Sequence, residues 1–162
     1  MRKLKLVERF TKSRATAKVA PELPPYVLMF DGGSRGNPGP SGAGYVIYCC
    51  DEEIAYGFQY VGAATNNIAE YTGLIYGLLA AAEIGIEKLV IKGDSLLVLN
   101  QLTGLWAIKA PNLVPLCNQA KGILTEYFPD AVLQHVKRSH NKRADELANE
   151  AMDTMSSNAW RI

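Results

Sequence analysis

Five apolar residues in a row, YVLMF at positions 26–30, end in Asp31 and run straight into GGSRGNPGPSGAGYV. A run that is apolar at every position fits a strand covered on both faces, hence a central strand of a layered α/β sheet. The stretch from Asp31 to Val46 then holds six glycines and two prolines. Glycine-rich turns let a phosphate or another backbone approach closely, and an aspartate beside one can instead hold a metal. On this segment alone both readings stand.

The patterning that follows alternates between two periods. Residues 43–50 and 54–61 read as two more strands joined by the acidic turn Asp51, Glu52, Glu53, which together with 26–30 make an antiparallel meander. Asn66 to Glu70 open a helix running to about Ile84, with Thr65 or Asn66 as its cap. Leu74, Gly77, Leu78 and Ala81 follow Glu70 at spacings of three and four, so Glu70 heads the face that packs on the sheet. A glutamate there must be paired, protonated or cation-bound, unless it is only a helix-start acid favoured by the dipole.

Residues 87–93 read as a short strand ending at Asp94, ahead of a helix from Ser95 to about Leu102. Residues 131–137 read as another strand, and Asn141 opens the last helix with Asp145 in its first turn. Taken singly, Asp94 and Asp145 are equally ordinary helix-start acids. Their arrangement says more, because functional groups of α/β sheets gather at the carboxyl ends of strands. If the strands ending at Asp31 and Asp94 are parallel neighbours, Asp31, Glu70, Asp94 and Asp145 converge at one edge. Four carboxylates there repel one another unless divalent cations neutralise them. An oxygen-only donor set favours magnesium or manganese over zinc, and two such ions roughly 4 Å apart suit in-line displacement at phosphorus. The implied reaction is phosphodiester hydrolysis.

The order DGGSRGNPGPSGAG, TNNIAE, GDSLLV, NKRADELANEAMD resembles type 1 ribonuclease H over about residues 27–152. The resemblance implies a ribonuclease-H-like α/β fold, a five-stranded mixed sheet of order 3-2-1-4-5 flanked by helices. It implies an endonuclease that hydrolyses the RNA strand of RNA/DNA hybrids, leaving 5′-phosphate and 3′-hydroxyl ends, with two divalent ions, magnesium or manganese in its place. Carried over residue by residue, Asp31 bridges the two ions, Glu70 and Asp94 ligate the one nearer the water or the leaving group, and Asp145 completes the set. Gly32, Gly33, Asn37 and Asn66 match positions that meet the minor groove and its 2′-hydroxyls, and Thr65 a position on a DNA phosphate. The alternative for Asn37, Thr65 and Asn66 is turn and cap chemistry.

Departures from the family pattern mark a compact subgroup. Leu96 stands where a glutamine is common, Ala63 replaces an arginine of the phosphate pocket, and LTGLWAIKAPNLVPL lacks a lysine-rich protrusion. Trp106 and Lys109 in that segment are candidates for backbone contact, the tryptophan being as readily a core anchor. A loop before the last helix carries an auxiliary histidine in much of the family; here it is shorter, and His140 is favoured over the strand residue His135, with the third possibility that neither serves.

Charge divides the chain. Residues 1–25 carry a net +5 and the rest −4. This basic arm, expected to be flexible, is a phosphate-backbone tether, a transit peptide or a solvated tail; Pro21, Pro24 and Pro25 close it. As a tether it would compensate for the absent protrusion. The catalytic domain is expected over 26–156, with a short tail at 157–162. Cys49, Cys50 and Cys117 are read as buried free thiols, which suits an intracellular, reducing compartment: cytoplasm, nucleus, or an organelle if the arm is a transit peptide. No segment is apolar enough for a membrane span, and a monomer without an obligatory protein partner is the expectation. A transposase core, a proofreading-type exonuclease and an inactive hybrid-binding module are the rival readings. The first needs more chain, the second other acidic motifs, and the third the loss of a carboxylate that is here retained.

Overall fold

The computed structural model describes residues 24–158. The proposed arm lies outside the described residues except for Pro24 and Pro25, and the tail except for Ser157 and Asn158. In chain order the elements are β1 (Tyr26–Ser34), β2 (Gly39–Cys49), β3 (Glu52–Ala64), α1 (Asn66–Ile84), β4 (Val90–Gly93), α2 (Leu96–Leu102), α3 (Val114–Tyr127), β5 (Val132–His135) and α4 (Lys142–Thr154). They build one five-stranded sheet of order β3-β2-β1-β4-β5. The pairs β1–β2 and β2–β3 are antiparallel, while β1–β4 and β4–β5 are parallel.

β1 is the central strand that its apolar run predicts. Leu28 and Phe30 are fully buried in the larger core, formed with α1, α2 and α3. Met29 packs on the other face, where Val46 meets Ala144 and Leu147 of α4. α1 starts on Thr65, whose hydroxyl accepts from the Ile68 amide at 3.3 Å, and stops at Gly85, which takes a left-handed φ of +90°. Its buried face carries Glu70, Leu74, Gly77, Leu78 and Ala81. α3 is not among the elements read from the sequence, and two prolines precede or open it. Both sit where proline does no harm: Pro111 starts a 3₁₀ turn and Pro115 lies in the first turn of α3, whose Cys117, Ala120 and Ile123 reach the core.

Two local expectations change. The glycine-rich stretch is not one loop: β1 continues through Gly32 and Gly33 to Ser34, paired with Ala43, Gly42 and Ser41 of β2. Only residues 35–38 form the tip. The cysteines are not all buried either. Cys117 is, but Cys49 is half-buried and Cys50 exposed, because the β2–β3 turn is made by Cys50 and Asp51, both at positive φ. No helix among the described residues is long and apolar enough to cross a membrane.

The glycines of the strand pair let helices seat directly on the sheet. A Cβ on Gly44 would lie 2.5 Å from the Ala144 carbonyl oxygen and 2.7 Å from the Leu147 Cβ, so α4 could not keep its place. Gly122 of α3 faces open space. We therefore expect Gly44→Ala to lower unfolding free energy by about 1–3 kcal/mol through overpacking. Gly122→Ala should raise it by about 0.5–1 kcal/mol through helix propensity. Urea unfolding of the two variants checks both signs.

Candidate active site

The register of the parallel strands decides where the first two acids go. Pairing of β1 with β4 ends at Phe30 and Gly93, and Asp31 and Asp94 are the next residues. They emerge side by side where the parallel pairing stops, Asp94 just past the end of β4 and Asp31 inside β1, which continues to Ser34. Asp31 is 5% exposed, and its Oδ1 accepts the Gly32 amide at 2.9 Å. Glu70 comes from the first turns of α1, and what brings it close is the bare backbone of Gly32. A Cβ there would collide with the peptide joining Ala69 to Glu70, while one on Gly73 would lie 2.7 Å from the Asp31 carbonyl oxygen. The missing side chain of Gly32 is thus accounted for by α1.

The result is a compact donor set. One carboxylate oxygen from each of Asp31, Glu70 and Asp94 lies within 4.8 Å of the others, and Glu70 Oε2 is buried without a hydrogen-bond partner. Burial, then the charge of Asp94, pushes the Asp31 carboxyl up to about 7. Burial and the proximity of Asp31 raise Glu70 well above the usual carboxylate range. Burial also raises Asp94, against the pull of the Arg138 guanidinium. Three acids that resist ionising together, with an oxygen-only donor set and an orphaned oxygen among them, fit a hard divalent cation. Asp145, half-buried in the first turn of α4, is outside this set, although its charge bears on both Asp31 and Asp94.

Two residues here escape the sequence patterning. Asn141 reads there only as a helix opener. It is 1% exposed, and its Nδ2 donates to the Phe30 carbonyl at 2.8 Å while its own carbonyl accepts the Asp145 amide at 3.1 Å. Its Oδ1 caps no amide of α4 and is buried without a partner, while the Nδ2 bond ties the helix carrying Asp145 beside the strand carrying Asp31. Arg138 is the other: its charge favours the ionised forms of Asp94 and Glu70. Nothing in periodicity marks a basic residue in a 3₁₀ turn as a neighbour of acids on other elements.

The remaining candidates fall into three places. Asn37, Thr65 and Asn66 lie where the hairpin tip meets the start of α1. Asn66 Oδ1 accepts the Ser34 amide at 2.7 Å, Asn37 Oδ1 accepts the Asn66 amide at 2.9 Å, and Thr65 caps the helix. Turn and cap chemistry is therefore real for all three, and it uses the amide oxygens while leaving the side-chain NH₂ groups as donors. Gly33 is half-buried opposite Gly42. Trp106, 48% exposed, is not a core anchor; it and Lys109 face solvent beyond α2, as does Leu96. The two histidines differ in tethering: a ring nitrogen of His135 lies 3.2 Å from the Asp94 carbonyl oxygen, whereas exposed His140 closes the turn Arg138–His140.

Known proteins resemble this chain in sequence and in fold. A family model described as reverse transcriptase-like matches residues 29–151. A Halobacterium salinarum protein named Ribonuclease HI is 49% identical over 125 residues, 76% of this chain and 62% of that protein. The Mycobacterium tuberculosis "Bifunctional protein Rv2228c" is 43% identical over 135 residues, 82% of this chain and 37% of its own length. The chain thus spans less than two thirds of these curated relatives. A crystal structure of RNase H1 from Halobacterium salinarum superposes with a TM-score of 0.76 at 46% identity, covering 80% of this chain and 98% of that one. A crystal structure of LC11-RNase H1 in complex with RNA/DNA hybrid superposes with the same TM-score at 36% identity, covering 80% and 98%.

The raised carboxyls make a signed prediction. Between the unfolded value of Asp31, near 3.8, and its folded value of about 7, the folded protein holds a proton that the unfolded chain has lost. Stability from this group is full below pH 4 and is lost as pH rises towards 7. The metal-free protein should therefore lose stability across that window relative to Asp31→Asn. Magnesium should raise the melting temperature more at pH 8, where the proton on Asp31 no longer competes with it, than at pH 5.5. Differential scanning calorimetry of both proteins at the two pH values measures it; parallel curves would contradict the assignment.

Proposed function

Since this chain belongs to the ribonuclease H family, type 1, we propose that it is an endonuclease hydrolysing the RNA strand of RNA/DNA hybrids. The observation that carries the reading is the convergence of Asp31, Glu70 and Asp94 oxygens within 4.8 Å where the pairing of β1 with β4 ends. Relatives named Ribonuclease HI and a related enzyme crystallised on a hybrid support it. Asp31, Glu70, Asp94 and Asp145 would hold two divalent cations, magnesium or in its place manganese. When bound, such ions lower the pKa of a water and stabilise the leaving oxygen at phosphorus.

The chain's own groups do the rest. Asp31, fixed mid-strand and hydrogen-bonded by the Gly32 amide, keeps its carboxylate in one place, as the central ligand of the set. Glu70 and Asp94 flank it, and Asp145 approaches from α4, held by Asn141. The NH₂ groups of Asn37 and Asn66, locked in orientation by their bonded oxygens, donate to 2′-hydroxyls of the RNA, which DNA lacks. The backbone of Gly32 and Gly33 and the cap Thr65 lie along the same approach, and Trp106 and Lys109 supply backbone contacts further out. His140, free of the tether that holds His135, moves a proton to or from the product side. The products carry 5′-phosphate and 3′-hydroxyl ends, and the working unit is a monomer.

Labelled RNA/DNA hybrid, single-stranded RNA and duplex DNA, each incubated with and without magnesium, test the reading on one gel. Internal cuts confined to the RNA of the hybrid and dependent on magnesium are expected, and Asp31→Asn should lower the rate by at least about a hundredfold while binding persists. Cutting of single-stranded RNA, or none at all, would refute it. His140→Ala should lower kcat with KM nearly unchanged. A rate within about twofold of the parent, under 0.5 kcal/mol of barrier, would remove His140 from the mechanism.

A further inference from the structure

Outside the carboxylate site, soft ligands meet at the opposite end of β1. Cys49 closes β2 and pairs with Tyr26, the first residue of β1, five residues and so roughly 17 Å from Asp31. Successive residues of a strand point to opposite faces, which would hold adjacent thiols away from each other. Here the hairpin turn intervenes: Cys50 has a φ of +53° and Asp51 one of +69°, the positive values that two-residue hairpin turns use. The turn leaves the two Sγ atoms 3.9 Å apart, both free, Cys50 exposed and Cys49 half-buried. Burial and the adjacent Cys50 thiol raise the Cys49 thiol above its ordinary value.

The spacing matches a particular chemistry. A tetrahedral centre with metal–sulfur bonds of about 2.3 Å sets its sulfurs about 3.8 Å apart. Magnesium gains little from thiolates, whereas zinc and its heavier congener cadmium prefer them. We propose that Cys49 and Cys50 form a bidentate site for a thiophilic d¹⁰ divalent cation, with solvent in the other two positions. Binding releases the two thiol protons to solvent and changes no oxidation state. Among the described residues no third histidine, cysteine or carboxylate completes a set there, so the site is an open, reversible chelate rather than a structural zinc centre. The inference is independent of the nuclease reading, since it uses neither the carboxylates nor a nucleic acid.

Cadmium titrated into the full chain under excess magnesium, which fills the oxygen site, tests it through the ultraviolet thiolate-to-cadmium absorption. One equivalent should saturate the band, Cys49→Ser and Cys50→Ser should each abolish it, and Cys117→Ser should leave it intact. In the unsubstituted protein, saturating cadmium should slow iodoacetamide alkylation of both Cys49 and Cys50 at least tenfold, read by peptide mass spectrometry. A band that survives Cys50→Ser, no band at all, or alkylation unaffected by cadmium would overturn the proposal.

Discussion

Parallel pairing of β1 with β4 stops at Phe30 and Gly93, and the residues that come next on the two strands are aspartates. That register places two carboxyls at one edge before any helix is considered, and α1 then adds Glu70. The three oxygens lie close enough for one cation to touch all of them, in surroundings where burial opposes their charge. Such a cluster costs folding energy in the metal-free protein. It persists because each acid is anchored to an element that the core holds in place.

Holding those elements so close requires bare backbone. Gly32 lets α1 lie against β1, and Gly44 lets α4 lie against β2 on the opposite face. Asn141 then fastens the start of α4 to Phe30, the residue before Asp31. One short segment of strand therefore receives a helix on each face, and the carboxylates inherit their spacing from those contacts. The exposed hairpin tip, by contrast, is tied by Asn37 and Asn66 to the start of α1 and by Arg35 to Asp153 of α4. The surface proposed to meet the nucleic acid is in this way braced by the same helices.

Much of this is legible because it is local. The apolar run at 26–30, the cap at Thr65, the spacing behind Glu70 and the acids at strand ends are patterns within a few residues. What the patterns miss depends on partners far along the chain. Gly32 and Gly33 look like loop because glycine is a turn signal, and only the pairing with β2 makes them strand. α3 is hidden by prolines that are harmless in first turns. Asn141 and Arg138 owe their importance to contacts with residues brought from other elements, and the proximity of Cys49 to Cys50 to a turn whose backbone conformation composition does not reveal.

By itself the sequence determined the types of most elements, the central place of β1 and the identity of the acidic residues, because short-range periodicity and side-chain chemistry are written in consecutive positions. Only the tertiary structure decided that Asp31, Glu70 and Asp94 form one cluster with Asp145 beside it, and that the glycines behind Asp31 serve helices. The reason is distance. Residues separated by 24 to 63 positions meet only through strand register and helix seating, and those are settled by what the whole core can pack, not by any one segment.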